Sequence, residues 1–197
     1  MSARRPSIFY RGRAPVVLAS ASPRRVALLR QAGLEFTVVD PGPDRAWPGE
    51  AEPRHGVRAL ALEKAERVAR RFPSSIVVGA DTVVVARGVR LGKPRDPAEA
   101  LAMLRRLQGR THEVWTGVAL VHRGERRTGA ERTEVQFVRL DEWTLRHYAR
   151  SGEPLDKAGG YAIQGLASQF VRRIAGDYSN VVGLPLGRLR QMLTEFG

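Results

Sequence analysis

Short apolar runs alternate with longer stretches in which apolar positions recur every three or four residues. Val16-Val17-Leu18-Ala19 predicts a short buried strand. Ser22 and Pro23 then supply an N-cap and a first helical position. Val26, Leu28, Leu29 and Ala32 form the apolar side of that helix, and Gly33 ends it. Leu34 to Val39 reads as a second strand, and Asp40 to Pro53 as a loop rich in proline, glycine and acids. Val57 to Arg71 predicts an amphipathic helix with Leu60, Ala61 and Val68 turned inward.

Ser75 to Ala80 is a β-rich run that ends at Asp81, and Thr82–Ala86, Arg87-Gly88 and Val89–Leu91 read as strand, turn and strand. Asp96 and Pro97 open a helix that runs through Met103, Leu104 and Leu107 to Gly109. Glu113 to Val121 and Arg126 to Val138 predict two long strands around His122-Arg123-Gly124. Asp141 caps a helix reaching Ser151, with Gly152 after it. The segment 153–165 is glycine-rich and irregular, Ala167 to Ile174 reads as a strand, and Leu186 to Phe196 as a final helix. Alternation of strands with helices, interrupted by hairpins, points to an α/β fold with a mixed sheet.

A chain of 197 residues is one domain, or two small lobes sharing a core. It has no cysteine, which excludes disulfides, thiol catalysis and a Cys-ligated zinc site. No apolar run approaches the ~20 residues that a membrane span requires. The first fifteen residues are basic but lack an apolar core of signal-peptide length. The expectation is a cytoplasmic protein with residues 1–14 as a flexible N-terminal arm and 15–197 as its domain.

Charge changes the picture more. Lys plus Arg number 33 against 20 acids, a formal net charge of +13. The arginines are spread along the chain without a series of interleaved aromatics, so nucleic acid is not expected as the main partner. An anionic substrate is the sharper reading. Only Lys64, Lys93 and Lys157 are lysines. Where arginine serves every generic need, a remaining lysine marks a place for a compact point charge.

Four segments carry candidate chemistry. In Ser20-Ala21-Ser22-Pro23-Arg24-Arg25 a strand feeds a helix whose first turn bears two arginines. Cations are unfavourable at that end unless an anion joins them, and the backbone N–H groups and hydroxyls suit a polyphosphate. The alternative is two arginines in water or paired with acids. Asp81, at the end of a buried strand, could hold a divalent cation or activate water, or be a turn aspartate bonding local N–H groups. Thr82 beside it could donate to a ligand or simply fill a strand. Lys93, pinned in an extended backbone before Pro94, could meet a phosphate or be a solvated turn lysine. The segment 153–165 holds Lys157 and Gln164 among three glycines. Gln164 offers a donor and an acceptor able to read a base edge, whereas the bland alternative is an Ω-loop. His55, His112, His122 and His147 show no metal-ligand spacing, and no GxSxG, GxGxxG or GxxxxGK[ST] element is present.

Taken in order, LASASPRR (18–25), GADTVV (79–84), GKP (92–94), GRTHEVWTGV (109–118), EPLDKAGGYAIQG (153–165) and NVVGLPL (180–186) resemble the Maf family of nucleotide pyrophosphatases, also called septum formation inhibitors. The resemblance runs from Val16 to Phe196. It implies an inosine triphosphate pyrophosphatase-like α/β fold, an elongated mixed β-sheet with flanking helices and two lobes around a central cleft. It implies hydrolysis of a nucleoside triphosphate to the monophosphate and pyrophosphate, with dTTP and UTP as substrates. The alternatives are the same reaction on modified nucleotides, or a regulator of septum formation that binds nucleotide or nucleic acid without chemistry.

By that resemblance Asp81 is the proton acceptor and a metal neighbour. Ser20, Arg24, Lys64, Lys93 and Lys157 bind phosphate, and Arg25, Thr82 and Gln164 choose the base. The cofactor would be Mg²⁺ or Mn²⁺, and the assembly a homodimer. One departure stands out. Where the family commonly shows two neighbouring acids, this chain reads Asp44-Arg45. Asp44 is the candidate second metal ligand, with Asp40 and Glu50 as substitutes.

Overall fold

The computed structural model describes residues 8–196. The expected arm at 1–14 lies outside the described residues up to position 7. From there it has neither helix nor strand, but Phe9 is buried.

The elements follow in the order β1 (Val16–Ala19), α1 (Pro23–Gln31), β2 (Thr37–Val39), α2 (Pro53–Ala69), β3 (Ile76–Ala86), β4 (Val89–Leu91) and α3 (Pro97–Leu107). There follow β5 (Thr111–His122), β6 (Glu125–Phe137), α4 (Glu142–Arg150), β7 (Val171–Ala175), α5 (Tyr178–Val182) and α6 (Leu186–Phe196). Three 3₁₀ turns lie between α4 and β7, at Glu153–Asp156, Ala158–Gly160 and Leu166–Phe170. No helix among the described residues is long and apolar enough to cross a membrane.

The strands form one seven-stranded sheet in the order β2-β1-β3-β5-β6-β7, with β4 on β3. It is mixed, as expected: β1 runs parallel to β2 and β3, whereas β4 and β7 run antiparallel to β3 and β6. Both short hairpin turns, Arg87-Gly88 and Arg123-Gly124, have positive φ at both residues. That backbone matches the right-handed twist of the strands it joins.

The residues between 75 and 86 form one strand and not two. Asp81 therefore stands in mid-strand, not at a strand end and not in a turn. Ala167 to Phe170 is 3₁₀ and only Val171–Ala175 is extended. Helix α2 begins at Pro53, four residues before its predicted start, because proline fits the first helical position. Asp96 and Asp141 cap as predicted, accepting from the N–H of Glu99 at 2.7 Å and of Thr144 at 2.8 Å.

The chain divides into two compact units. The first comprises the described residues up to Asp81, Thr116–Glu131, and the described residues from Gly183. Its core sets α2 against the sheet through Val17, Ala19, Ala61, Ala65, Val68, Val77, Ala119 and Val121. Two glycines permit the approach. A Cβ on Gly79 would collide with the Ala61 carbonyl oxygen, and one on Gly117 with the Val57 carbonyl. The second unit comprises Thr82–Trp115 and Arg132–Val182. Its centre is aromatic: Phe137 meets Tyr161 edge-on at 4.8 Å and Phe170 at 6.1 Å, and Tyr148 meets Phe170 at 5.0 Å.

Because the backbone of α2 occupies the space above Gly79, Gly79→Ala is expected to cost about 1–3 kcal/mol of unfolding free energy. Gly92→Ala, where nothing lies within 4 Å of the added methyl, should stay within about 0.5 kcal/mol of the parent. Urea midpoints of the two variants check this, and equal midpoints would contradict the close approach.

Candidate active site

Alternation along β3 puts Val77, Gly79 and Asp81 on the face that α2 covers. On α2 the inward stripe is Ala61, Lys64, Ala65 and Val68, all buried. The helix can sit close only because position 79 lacks a side chain, and one strand step further Lys64 meets Asp81. The Lys64 Nζ donates to Asp81 Oδ1 at 2.6 Å and contacts Asp44 Oδ1 at 2.6 Å. Lys64 is 6% exposed. A buried ammonium needs paired carboxylates, and removing one member of such a pair costs about 3–5 kcal/mol.

The expectation for Lys64 was a phosphate ligand; its contacts here are two carboxylates. At formal charges, two carboxylates against one ammonium leave one negative charge on the cluster. Asp81 is 15% exposed at its side chain and Asp44 is 48% exposed, so the cluster is open on the Asp44 side.

The loop that delivers Asp44 is held by α2. Arg67 donates to the Pro43 carbonyl at 3.0 Å, and Arg45 pairs with Glu63 at 2.7 Å. Arg45, the departure from the family pattern, is thus turned onto its own carboxylate partner. Asp40 spends Oδ1 on the N–H of Gly42 at 2.8 Å, within its own turn. Of the three acids Asp40, Asp44 and Glu50, it is Asp44 that contacts Lys64.

At the start of α1 the predicted cap is at Ser22, but its hydroxyl makes no capping bond. Instead the buried Ser20 hydroxyl accepts from the Ser22 N–H at 3.1 Å. Arg24 is half-buried. Arg25 Nε donates to the Gly183 carbonyl at 2.7 Å, and its Nη1 donates to the Ala80 carbonyl at 2.9 Å. These bonds tie α1 to the residue that precedes Asp81. Burial pulls the Arg25 pKa below its usual value, and the Asp81 charge works the other way. In this unit the structure brings together Arg25, Lys64, Asp44 and Asp81, and Ser20 directly follows β1, whose Ala19 pairs with Gly79 of β3.

Thr82, Lys93, Lys157 and Gln164 belong to the second unit. Thr82 is half-buried, Lys93 and Gln164 are exposed. The Lys157 ammonium donates to the Glu153 carbonyl at 2.6 Å and to the Asp156 carboxylate. Gly159, at φ 72°, donates its N–H to the Gly92 carbonyl at 2.9 Å, so the turns bearing Lys157 and Lys93 are stitched together. The segment 153–165 is thereby pinned at Gly159 to the turn that bears Lys93.

Four residues escaped the sequence reading here: His112, Tyr148, Glu153 and Tyr161. His112 Nε2 lies 2.9 Å from the Tyr161 hydroxyl, and its Nδ1 has no partner among the described residues. Burial lowers the His112 pKa to about 4 and raises those of Tyr148 and Tyr161, the Tyr148 shift being helped by the Glu153 carboxylate. The signal was the density of polar and aromatic residues in 148–165, which does not say which of them pair.

The sequence profile of the family described as Maf-like protein matches residues 15–196. The dTTP/UTP pyrophosphatase of Symbiobacterium thermophilum is 52% identical over 182 residues, 92% of this chain and 94% of that protein. The dTTP/UTP pyrophosphatase of Pelotomaculum thermopropionicum is 49% identical over 184 residues, 92% of this chain and 96% of that protein. Among solved structures, a HAM1 protein from Coxiella burnetii superposes with a TM-score of 0.51 at 18% identity. It covers 93% of this chain and 100% of that one. This likeness is one of fold.

The buried His112 has a consequence for acid stability. Its folded-state pKa of about 4 lies below the ordinary value of 6.5, so the unfolded chain takes up the proton first as pH falls. Stability is full above pH 6.5 and is lost on descending toward pH 4. Between pH 7 and 4.5 the loss from this group should be about 2–3 kcal/mol. In His112→Phe that increment of acid sensitivity should vanish, measured as the change in urea midpoint between the two pH values. An identical loss in parent and variant would contradict it.

Proposed function

The chain belongs to the Maf family, and on that basis we propose that it hydrolyses dTTP and UTP to the nucleoside monophosphate and pyrophosphate. The observation that carries the chemistry is the Lys64 ammonium bridging Asp44 and Asp81. The two relatives described above, each about half identical to this chain, bear the name of that activity and support the choice of substrates.

The reaction needs a water placed against the α-phosphorus, and a way to accommodate charge on the departing pyrophosphate. Asp81 orients that water and accepts its proton. A new P–O bond forms, the bridging oxygen between α and β phosphorus leaves with its electron pair, and the proton ends on the carboxylate. Lys64 fixes the Asp81 carboxylate and offsets part of its charge, which lets a polyanion approach. Arg24 and Arg25, at the start of α1, favour the negative charge that develops on the leaving group. Ser20 sits at the same helix start and completes the phosphate end.

The residues fit a divalent cation. Two carboxylates meeting at one ammonium match what Mg²⁺ takes from a protein when substrate phosphates supply its remaining ligands. Asp44 and Asp81 would hold it, and bound there Mg²⁺ or Mn²⁺ supplies charge neutralisation and polarisation of the phosphates. The resemblance gives Lys93 and Lys157 phosphate roles, and Arg25, Thr82 and Gln164 the choice of base. A site built to bond one base edge rejects a base that leaves those polar groups unpaired. We extend the proposal to a cytoplasmic homodimer, the assembly being checked by light scattering.

The test is a panel of dTTP, UTP, CTP, ATP and GTP with Mg²⁺, assayed for pyrophosphate. Release from dTTP and UTP above the others is expected, and release from none overturns the proposal. Asp81→Asn should lower kcat by about a hundredfold or more while its urea midpoint shows a folded protein. Near-parental turnover of UTP by that variant would refute the role of Asp81.

A further inference from the structure

Gln164 is exposed, but the three residues before it, Tyr161, Ala162 and Ile163, are buried. The backbone therefore emerges from the interior at the residue assigned to the base. Two amides bracket that emergence. The N–H of Ala162, two residues before Gln164, donates to the Tyr148 hydroxyl at 3.2 Å. The N–H of Leu166, two residues after, donates to Glu153 Oε2 at 3.1 Å. The two acceptors are themselves joined, since the Tyr148 hydroxyl donates to Glu153 Oε1 at 2.9 Å.

This is a closed arrangement. The hydroxyl uses its proton on the carboxylate and a lone pair on Ala162, and each carboxylate oxygen takes one donor. Position 165 must be small for it to close, because a Cβ there would run into the Glu153 carboxylate. Deeper in, the Tyr161 hydroxyl rests on His112 Nε2 at 2.9 Å. Tyr148 is 5% exposed and its bond from Ala162 is buried, whereas the Leu166 bond to Glu153 lies at the surface.

We propose that Tyr148 and Glu153 are positioning residues for base selection: together they grip the chain on both sides of Gln164 and fix where its amide is presented. This deepens the pyrophosphatase reading and rests on it for the substrate. Neither residue touches nucleotide in this scheme. Tyr148 acts from α4, and Glu153 from the first 3₁₀ turn, through the backbone of 162–166.

The test compares Tyr148→Phe, which deletes both bonds of the hydroxyl, with Glu153→Gln, which keeps one acceptor oxygen. For Tyr148→Phe the KM for UTP should rise about tenfold with kcat within about twofold, and the kcat/KM preference for UTP over CTP should fall about tenfold. Glu153→Gln should fall between parent and Tyr148→Phe. Hydrogen exchange at the amides of Ala162 and Leu166 should quicken about tenfold or more in Tyr148→Phe, with amides of α3 and β5 unmoved. A Tyr148→Phe protein that loses thermal stability yet keeps the parental KM and UTP preference overturns the proposal, the pair then being structural only. Should the parent hydrolyse no nucleotide, the pyrophosphatase reading fails, and the clamp is judged by exchange alone. Unchanged exchange at both amides in both variants overturns the clamp; quickened exchange supports it.

Discussion

A lysine ammonium folded out of water has to find its counter-charges inside the protein, and in this molecule that requirement organises the surroundings of Asp81. Lys64 stands on the same helical stripe as Ala61, Ala65 and Val68, so its stem belongs to the core and its charge cannot turn to solvent. Asp81 stands on a strand whose neighbours Ala80 and Val83 are buried. Neither charge is tenable there alone. Each becomes tenable because α2 approaches the sheet over glycines 79 and 117, close enough for a 2.6 Å bond. The Asp44 loop is then drawn to the same ammonium and fixed by Glu63 and Arg67 of the same helix. The packing of α2 and the placement of the Lys64–Asp81 pair thus share one constraint, the absence of a side chain two residues before Asp81.

Arginine and lysine divide the remaining work. Half-buried and exposed acids are met by arginines: Glu99 by Arg95, Glu142 by Arg105 and Arg146, Glu66 by Arg126, and Glu113 by Arg132. Such surface pairs contribute little each, being solvated and screened. Two of the three lysines do something else, binding aspartates within the segments that carry the candidate chemistry, Lys64 at Asp81 and Lys157 at Asp156. The scarcity of lysine in the composition thus singles out residues whose ammonium groups are held by carboxylates in the structure. A compact ammonium can sit between two carboxylates where a planar guanidinium would not fit.

How much was legible depended on how local the cause was. Helix α6 was readable to its ends, since its apolar period and length are contained in its own eleven residues. The caps at Asp96 and Asp141 were readable because the partner N–H lies three residues away. The continuity of β3 through Asp81 was not. A charge between apolar runs looks like a boundary, and the cation that lets the strand continue comes from a helix 17 residues earlier. The five-residue helix Tyr178–Val182 is too short to show a period. At Ser22 the cap position was visible, but not that its hydroxyl leaves the helix amides uncapped while its own N–H bonds to Ser20. Within the site, Asp81, Lys64 and Arg25 were marked by type and company. Asp44 was separable from Asp40 and Glu50 only by contact, and the Tyr148–Glu153 pair depends on how the glycine-rich segment folds back.

The most direct examination of this account is a crystal structure of the protein with Mg²⁺ and the non-hydrolysable analogue α,β-imido-UTP. The account requires the α-phosphate within reach of one water from the Asp81 carboxylate, the ion on Asp44 and Asp81, and Lys64 still on Asp81. A triphosphate bound with Asp81, Asp44 and Lys64 out of contact with both phosphate and ion would contradict it.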